Sequence, residues 1–233
     1  MFTHKKDIFF DLDHTIWDFD RNAEETLNEL YFSYRFDELF NQATPELFIS
    51  TYTRNNHRVW NLYHHGKIDK ATLRKLRFAD TFTELGVDPS LFPKSFEEEY
   101  LEICPTKTNL FPHALETLDY LKQKYTLHLI SNGFKEACEK KLAHSKLLPY
   151  FKTIVISELI GVNKPNPQIF DYAVRNGKAQ KEYSIMIGDN LDADVRGAQN
   201  FGMEAIFFNP RAQEKPTDII HSISSLKELQ DLF

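Results

Sequence analysis

The chain has 233 residues, 42% of them apolar and 27% charged, and its 28 Lys and Arg against 34 Asp and Glu give a net charge of −6. This composition is globular rather than disordered. The lack of a basic excess argues against nucleic-acid binding through phosphates, and no apolar run approaches the roughly 18 residues of a membrane span. Cys104 and Cys138 are too few for a disulfide framework, so both are expected as small buried hydrophobes. Near the N-terminus, Lys5 and Lys6 precede only Ile8-Phe9-Phe10 before Asp11, which is shorter than the apolar stretch of a signal peptide. The expected compartment is the cytoplasm. The length suits one large core with a smaller appended unit.

In chain order, residues 7–12 read as a short strand buried on both faces, ending in Asp11-Leu12-Asp13. Residues 22–104 look helical, with no convincing strand. Thr44-Pro45 supplies a cap and first helical position for a helix with Leu47, Phe48, Val59 and Trp60. Asp69 caps a second helix with Leu73, Leu76 and Leu85, closed by Gly86, and Asp88-Pro89 repeats the cap-plus-proline pattern. From Pro112 the pattern alternates. A helix with Leu115, Leu118 and Leu121 leads to a strand at 126–130, a helix over 135–144 and a strand at 153–156. A helix from Pro167, a strand at 184–187, a helix over 194–201 and a strand at 205–208 follow, then a last helix over 224–232 capped by Ser224. Strands alternating with helices imply an α/β fold with a parallel sheet covered on both faces. Residues 1–15 and 109–233 are expected to form this core, and residues 16–108 an inserted helical cap.

Ligands of open parallel sheets bind outside the carboxyl ends of the strands. Polar clusters follow several predicted strands: Asp11 and Asp13, then Ser131-Asn132-Gly133, then Gly188-Asp189-Asn190 with Asp194, while Lys164-Pro165 precedes the Pro167 helix. Read singly, each has a plainer use as a turn or helix cap. Together they converge on one edge. Asp11, Asp13 and Asp189 are hard oxygen ligands suited to Mg²⁺ beside a phosphate. The Ser131 hydroxyl and the amides of Asn132 and Gly133 suit an anion. Lys164 offers a cation to a phosphoryl oxygen or to Asp11. Asp192 reads as a helix-cap acid.

These residues resemble the haloacid dehalogenase (HAD) superfamily. Asp11-Leu12-Asp13-His14-Thr15 is similar to its first motif, Ser131 to the second, Lys164 to the third, and Gly188-Asp189 through Asp194 to the fourth. The resemblance implies a Rossmann-like core with an inserted helical cap. It implies that Asp11 attacks phosphorus to form an aspartyl-phosphate, and that Asp13 protonates the leaving oxygen and then activates water. Ser131, Asn132 and Lys164 would hold the phosphoryl group. Asp11, the Asp13 backbone carbonyl and Asp189 would ligate Mg²⁺, supported by Asp194. An acid at position 13 favours phosphoryl over dehalogenase chemistry, and His14 stands where many relatives have Gly.

A finer resemblance lies in Phe10 through Phe19, Ser131-Asn132-Gly133-Phe134 and Ile156-Ser157-Glu158 through Asn166. These segments are similar to the pyrimidine 5′-nucleotidase branch of the YjjG type, which implies a small phosphorylated substrate, a nucleoside monophosphate; no nucleic-acid or membrane partner is expected, on the charge and hydropathy above. Cap residues would choose the leaving group. Trp60 would stack on a base or pack in the helix core, while His57, His64 and His65 read as solvated. Lys140-Lys141 reads as a solvated helix face. A phosphatase or mutase of another phosphometabolite, such as a phosphosugar or phosphoglycolate, is the alternative enzyme, and a noncatalytic binding protein on the same fold is the alternative outside enzymes.

Overall fold

The computed structural model describes residues 1–39, 44–88 and 91–233. In chain order its strands and α-helices are β1 (Asp7–Phe10), α1 (Phe19–Ser33), α2 (Phe36–Leu39), α3 (Pro45–His64), α4 (Lys70–Glu84), α5 (Phe96–Ile103), α6 (Ala114–Leu121), β2 (Thr126–Ser131), α7 (Lys135–His144), β3 (Thr153–Ile156), α8 (Ser157–Ile160), α9 (Pro167–Gly177), β4 (Ser184–Gly188), α10 (Gly197–Phe201), β5 (Glu204–Phe208), β6 (Ser222–Ile223) and α11 (Leu229–Leu232). The chain divides into two compact units, Met1–Phe19 with Thr108–Phe233, and Asp20–Lys107.

In the first unit the strands form one parallel sheet in the order β3-β2-β1-β4-β5-β6. This is the doubly wound order, whose direction reverses between β1 and β4 and opens a crevice there. β1 is buried along its whole length, and Phe10 lies opposite Leu129 on one side and Ile187 on the other. Phe9, Ile130, Val155, Phe170, Met186 and Phe207 belong to one continuous apolar cluster. The first strand is shorter than the sequence suggests. The ladder runs one residue beyond Phe10, where the Asp11 amide donates to Ile187 O, and then the chain curls so that the Ile16 and Trp17 amides both donate to Leu12 O. His14 sits in this curl at φ 62°, the left-handed region that favours Gly.

Four other differences from the sequence reading have local causes. β6 is too short to show a periodicity, and it pairs only at the sheet edge. The 194–201 helix begins earlier, as a π-helical stretch Leu191–Arg196 that runs into α10. Ser225, not Ser224, caps the final turn, in a capping box with Glu228. Leu115 is exposed, because Ala114, Thr117, Leu118 and Leu121 supply the buried face of α6.

The second unit is helical. Thr44 caps α3 by accepting from the Leu47 amide, Pro45 opens it, and Asp69 caps α4 by accepting from the Thr72 amide at 2.8 Å. Gly86 follows α4 at φ 69°; Pro89 of the Asp88-Pro89 pair lies outside the described residues. Many of the chain's aromatic side chains pack here: Tyr31, Phe36, Phe48, Phe78, Phe82 and Phe96 are fully or almost fully buried. Most of these rings meet edge-on or tilted, as aromatic quadrupoles prefer. Among the described residues no helix is long and apolar enough to cross a membrane.

One buried polar pair in the sheet has a pH consequence. His128 on β2 is fully buried, its Nε2 3.1 Å from Asp7 Oδ1 on β1 and its ring stacked on Phe9 at 4.5 Å. On the α9 side, a Cβ at Gly177 would lie 2.8 Å from its ring. Burial holds the imidazole below its ordinary value of 6.5, with Asp7 opposing and Lys152 adding to the effect. A His whose folded value is depressed contributes stability that is full above the unfolded value and is lost as pH falls below it. The His128 contribution to the melting temperature should therefore fall between about pH 7.5 and 5.5, against the opposite contribution of the raised Asp11 and Asp189 carboxyls, so that His128→Gln should shift the slope of melting temperature against pH in that window relative to the parent. An unchanged slope in the variant would contradict this account.

Candidate active site

The crevice is organised around one buried cation. Lys164 precedes α9 in sequence, and its Nζ donates to Asp11 Oδ1 at 2.6 Å, to Asp194 Oδ1 at 2.6 Å and to Ile130 O at 2.7 Å. An ammonium has three donors, and all three are used. The Lys164 backbone is also held. Its amide donates to Asn132 Oδ1 at 2.8 Å, and its carbonyl accepts from Asn132 Nδ2 at 2.9 Å. The Asn132 side chain thus holds the Lys164 loop through its Oδ1 and one of the two Nδ2 hydrogens.

Each surrounding element has a local reason for its shape. Gly188 ends β4 where a Cβ would overlap the Asp194 carboxylate. Asp194 Oδ2 accepts from the Asn190 amide at 3.0 Å. The Asn190 side chain caps the π-helical stretch, accepting from the amides of Asp192 and Ala193. Capping thus belongs to Asn190, and Asp192 is exposed. Buried Thr15 accepts from the Asp189 amide at 3.1 Å and donates to Asp189 Oδ1 at 3.4 Å. Ser131 Oγ accepts from the Gly133 amide at 3.1 Å, so that amide is turned inward rather than offered to an anion. A Cβ at Gly133 would lie only 2.6 Å from Cys138 Sγ.

Asp13 stands apart from the Lys164 pair. Its Oδ1 accepts from Lys141 Nζ at 2.6 Å. Lys141 is almost fully buried, contrary to the solvated helix face expected from Lys140-Lys141. Its place three residues after buried Cys138 and one before buried Leu142 puts it on the inner face of α7, a signal that the pair of like charges obscured.

The electrostatics favour a further cation. Burial, opposed by Lys164 and reinforced by Asp194, pushes Asp11 up to about 7. Burial together with Asp11 and Asp194 raises Asp189 well above the carboxylate range. Burial opposes the charge on Lys164, but Asp11 and Asp194 outweigh it and leave its value raised. Carboxylate oxygens of Asp11, Asp189 and Asp194 all lie within 4.8 Å of one another. Three carboxylates around one ammonium leave two negative charges, the complement of one divalent cation, and all-oxygen donors suit Mg²⁺. The residues present therefore fit that ion.

In the helical unit, Trp60 on α3 is half-buried rather than in the core, with its ring edge-on to Tyr63 at 5.6 Å and tilted to His64 at 5.5 Å. His57 is exposed and lies 3.3 Å from Asp20 of α1.

The sequence model of the family described as haloacid dehalogenase-like hydrolase matches residues 8–208. The chain belongs to this family. It is 32% identical to pyrimidine 5′-nucleotidase YjjG of Escherichia coli over 97% of this chain and 96% of that protein. It is 28% identical to pyrimidine 5′-nucleotidase PynA of Streptococcus pneumoniae over 97% and 95%. The crystal structure of YfnB from Bacillus subtilis, described as a HAD-hydrolase bound to magnesium, superposes with a TM-score of 0.84 at 28% identity, covering 98% of each chain. The Rossmann-like α/β core of HAD hydrolases is the fold of this protein.

Removing one partner of a buried charge cluster leaves the others uncompensated, at a cost of about 3–5 kcal/mol. Lys164→Met should lower unfolding stability by that order in urea titrations, and Lys164→Met with Asp194→Asn should recover part of the loss. A single variant as stable as the parent would contradict the cluster.

Proposed function

We propose that this protein is a Mg²⁺-dependent phosphomonoester hydrolase that works through an aspartyl-phosphate on Asp11, with a pyrimidine nucleoside 5′-monophosphate as substrate. The observation that carries the reaction is the pair of carboxylates after β1 with separate cations: Asp11 on Lys164 and Asp13 on Lys141. Two neighbouring carboxylates in different surroundings suit different tasks. Full-length similarity to two pyrimidine 5′-nucleotidases supports the substrate class.

Asp11 is the nucleophile. Lys164 keeps one of its oxygens oriented and favours its charged form, which attack requires. The Ser131 hydroxyl donates to a phosphoryl oxygen, and Lys164 adds charge on the same side. Asp13 gives a proton to the ester oxygen as it leaves and takes one from the water that releases phosphate from Asp11. Asp11, Asp189 and the Asp13 carbonyl would hold Mg²⁺, which when bound supplies positive charge against the repulsion between Asp11 and an anionic ester. Asp194 keeps Lys164 in place. The core groups recognise features that every phosphomonoester shares, so we assign choice of the nucleoside to the helical unit, residues 16–108 in the sequence reading, and to Trp60 against the base.

EDTA should abolish phosphate release, and added Mg²⁺ should restore it; full activity in metal-free protein would overturn the proposal. Asp11→Asn should remove nearly all turnover, since an amide is a poor nucleophile, whereas Asp13→Asn should slow it by about 10²–10⁴-fold. Wild-type kcat in Asp11→Asn would contradict the covalent route. Trp60→Ala should cost about 1–3 kcal/mol in kcat/KM for nucleoside monophosphates, the worth of base stacking, and much less for a small aryl phosphate. Equal losses on both would return Trp60 to a structural role.

A further inference from the structure

Lys141 is not among the four motif groups, yet its side chain is 6% exposed, and lysines are almost never this buried unless paired. Its Nζ donates to Asp13 Oδ1 and stands 4.3 Å from the centroid of the Trp17 ring and 5.3 Å from that of Phe19. Trp17 is fully buried, and its amide and carbonyl are tied to Leu12 O and the His14 amide. The ammonium therefore rests on a fixed aromatic platform, which favours a cation over its face. The second Asp13 oxygen lies on the side of the Ser131–Gly133 turn, since a Cβ at Gly133 would lie 3.8 Å from Oδ2. One carboxyl oxygen is anchored, and the other is directed toward the turn that the proposed reaction uses for the phosphoryl group.

We propose that Lys141 is a positioning residue for Asp13, holding Oδ1 so that Oδ2 carries the proton to and from the reacting oxygens. The inference rests on the phosphomonoester hydrolase reading above. In the first half-reaction an Asp11 oxygen bonds to phosphorus, and the ester P–O bond breaks. Its electron pair stays on the leaving oxygen, which takes the proton from Oδ2. In the second half, Asp13 accepts a proton from water as the water oxygen bonds to phosphorus. The P–O bond to Asp11 breaks, its electron pair returns to that carboxylate, and inorganic phosphate departs. Oδ1 is a carbonyl oxygen in one state and a carboxylate oxygen in the other, and it accepts from the Lys141 ammonium in both. Lys141 touches no reacting atom. Its contribution is that proton transfer starts from one rotamer, and small displacements of a proton donor are costly.

Leaving-group dependence separates this role from structural support. An alkyl ester oxygen, as in a nucleoside 5′-monophosphate, needs its proton as the bond breaks, whereas a nitrophenolate leaves without one. kcat/KM reports steps only up to loss of the leaving group, so it isolates the first half-reaction. Lys141→Met keeps the aliphatic stem over Trp17 and deletes the charge. It should lower kcat/KM for a nucleoside 5′-monophosphate by about 10–100-fold, part of the full general-acid contribution, and for p-nitrophenyl phosphate by a few-fold or less. Lys141→Arg should recover part of the difference. The ratio of the two constants does not depend on the fraction of folded enzyme, so a poorly folding variant still gives an answer. Equal losses on both esters, or no loss on either, would overturn the assignment of Lys141. A parent enzyme that hydrolyses neither ester would overturn the hydrolase reading itself.

Discussion

A single ammonium, buried between the Asp11 and Asp194 carboxylates, is the constraint on which the rest of the site depends. Taking three charges out of water is expensive, and such a cluster persists only with close geometry and every hydrogen bond made. Lys164 meets both conditions, with acceptors on β1's exit, on β2 and on the stretch after β4. Those acceptors come from separate passages of the chain, so the cluster fixes their mutual positions. The requirement then spreads outward. Asn132 holds the Lys164 backbone by its amide and carbonyl, and Gly188 leaves room for the Asp194 carboxylate. Each of these residues supports the position of the lysine or of its partner.

The cluster stands where the fold places it. In the order β3-β2-β1-β4-β5-β6, the chain leaves β1 in one direction and returns to its other side at β4. The loops after these two strands diverge, and the crevice between them receives Asp11 from one and Asp189 from the other. β1 is buried throughout, so its end is held by two neighbouring strands, and Asp11 inherits that rigidity. Asp13 lies beyond the ladder, in a curl held by Leu12 O and by Lys141. Asp11, the proposed nucleophile, thus sits at the end of the sheet and Asp13, the proposed proton carrier, on a turn, which suits a group that must serve two successive reacting oxygens.

Much of this was legible in the sequence, and the gaps have physical causes. Strands alternating with helices gave the parallel core, because burial on both faces writes itself as short apolar runs, as in Ile8-Phe9-Phe10. Acids and small polar residues at successive strand ends marked the crevice. Thr44-Pro45 and Asp69 named their helix starts correctly, since a cap is a local contact. Ser225 and Asn190 were missed in favour of Ser224 and Asp192, one and two residues away with similar side chains, because spacing alone does not say which of two nearby residues turns inward. β6 lacked the length to show a pattern. Lys141 was read as solvated from its charge and its neighbour Lys140, while its partners Asp13 and Trp17 lie far away in sequence. Asn132 reads from the sequence as a phosphate contact, and only the fold reveals that its side chain also pairs with the Lys164 backbone.

The central claim is that Asp11 carries the phosphoryl group. Its most direct test is to quench the enzyme in acid during turnover with Mg²⁺ and a nucleoside monophosphate, reduce the trapped acyl phosphate with borohydride, and locate the modified residue by mass spectrometry. Reduction at Asp11, absent without substrate, is the result this account predicts. Modification at a different residue, or none in enzyme that is turning over, would contradict it.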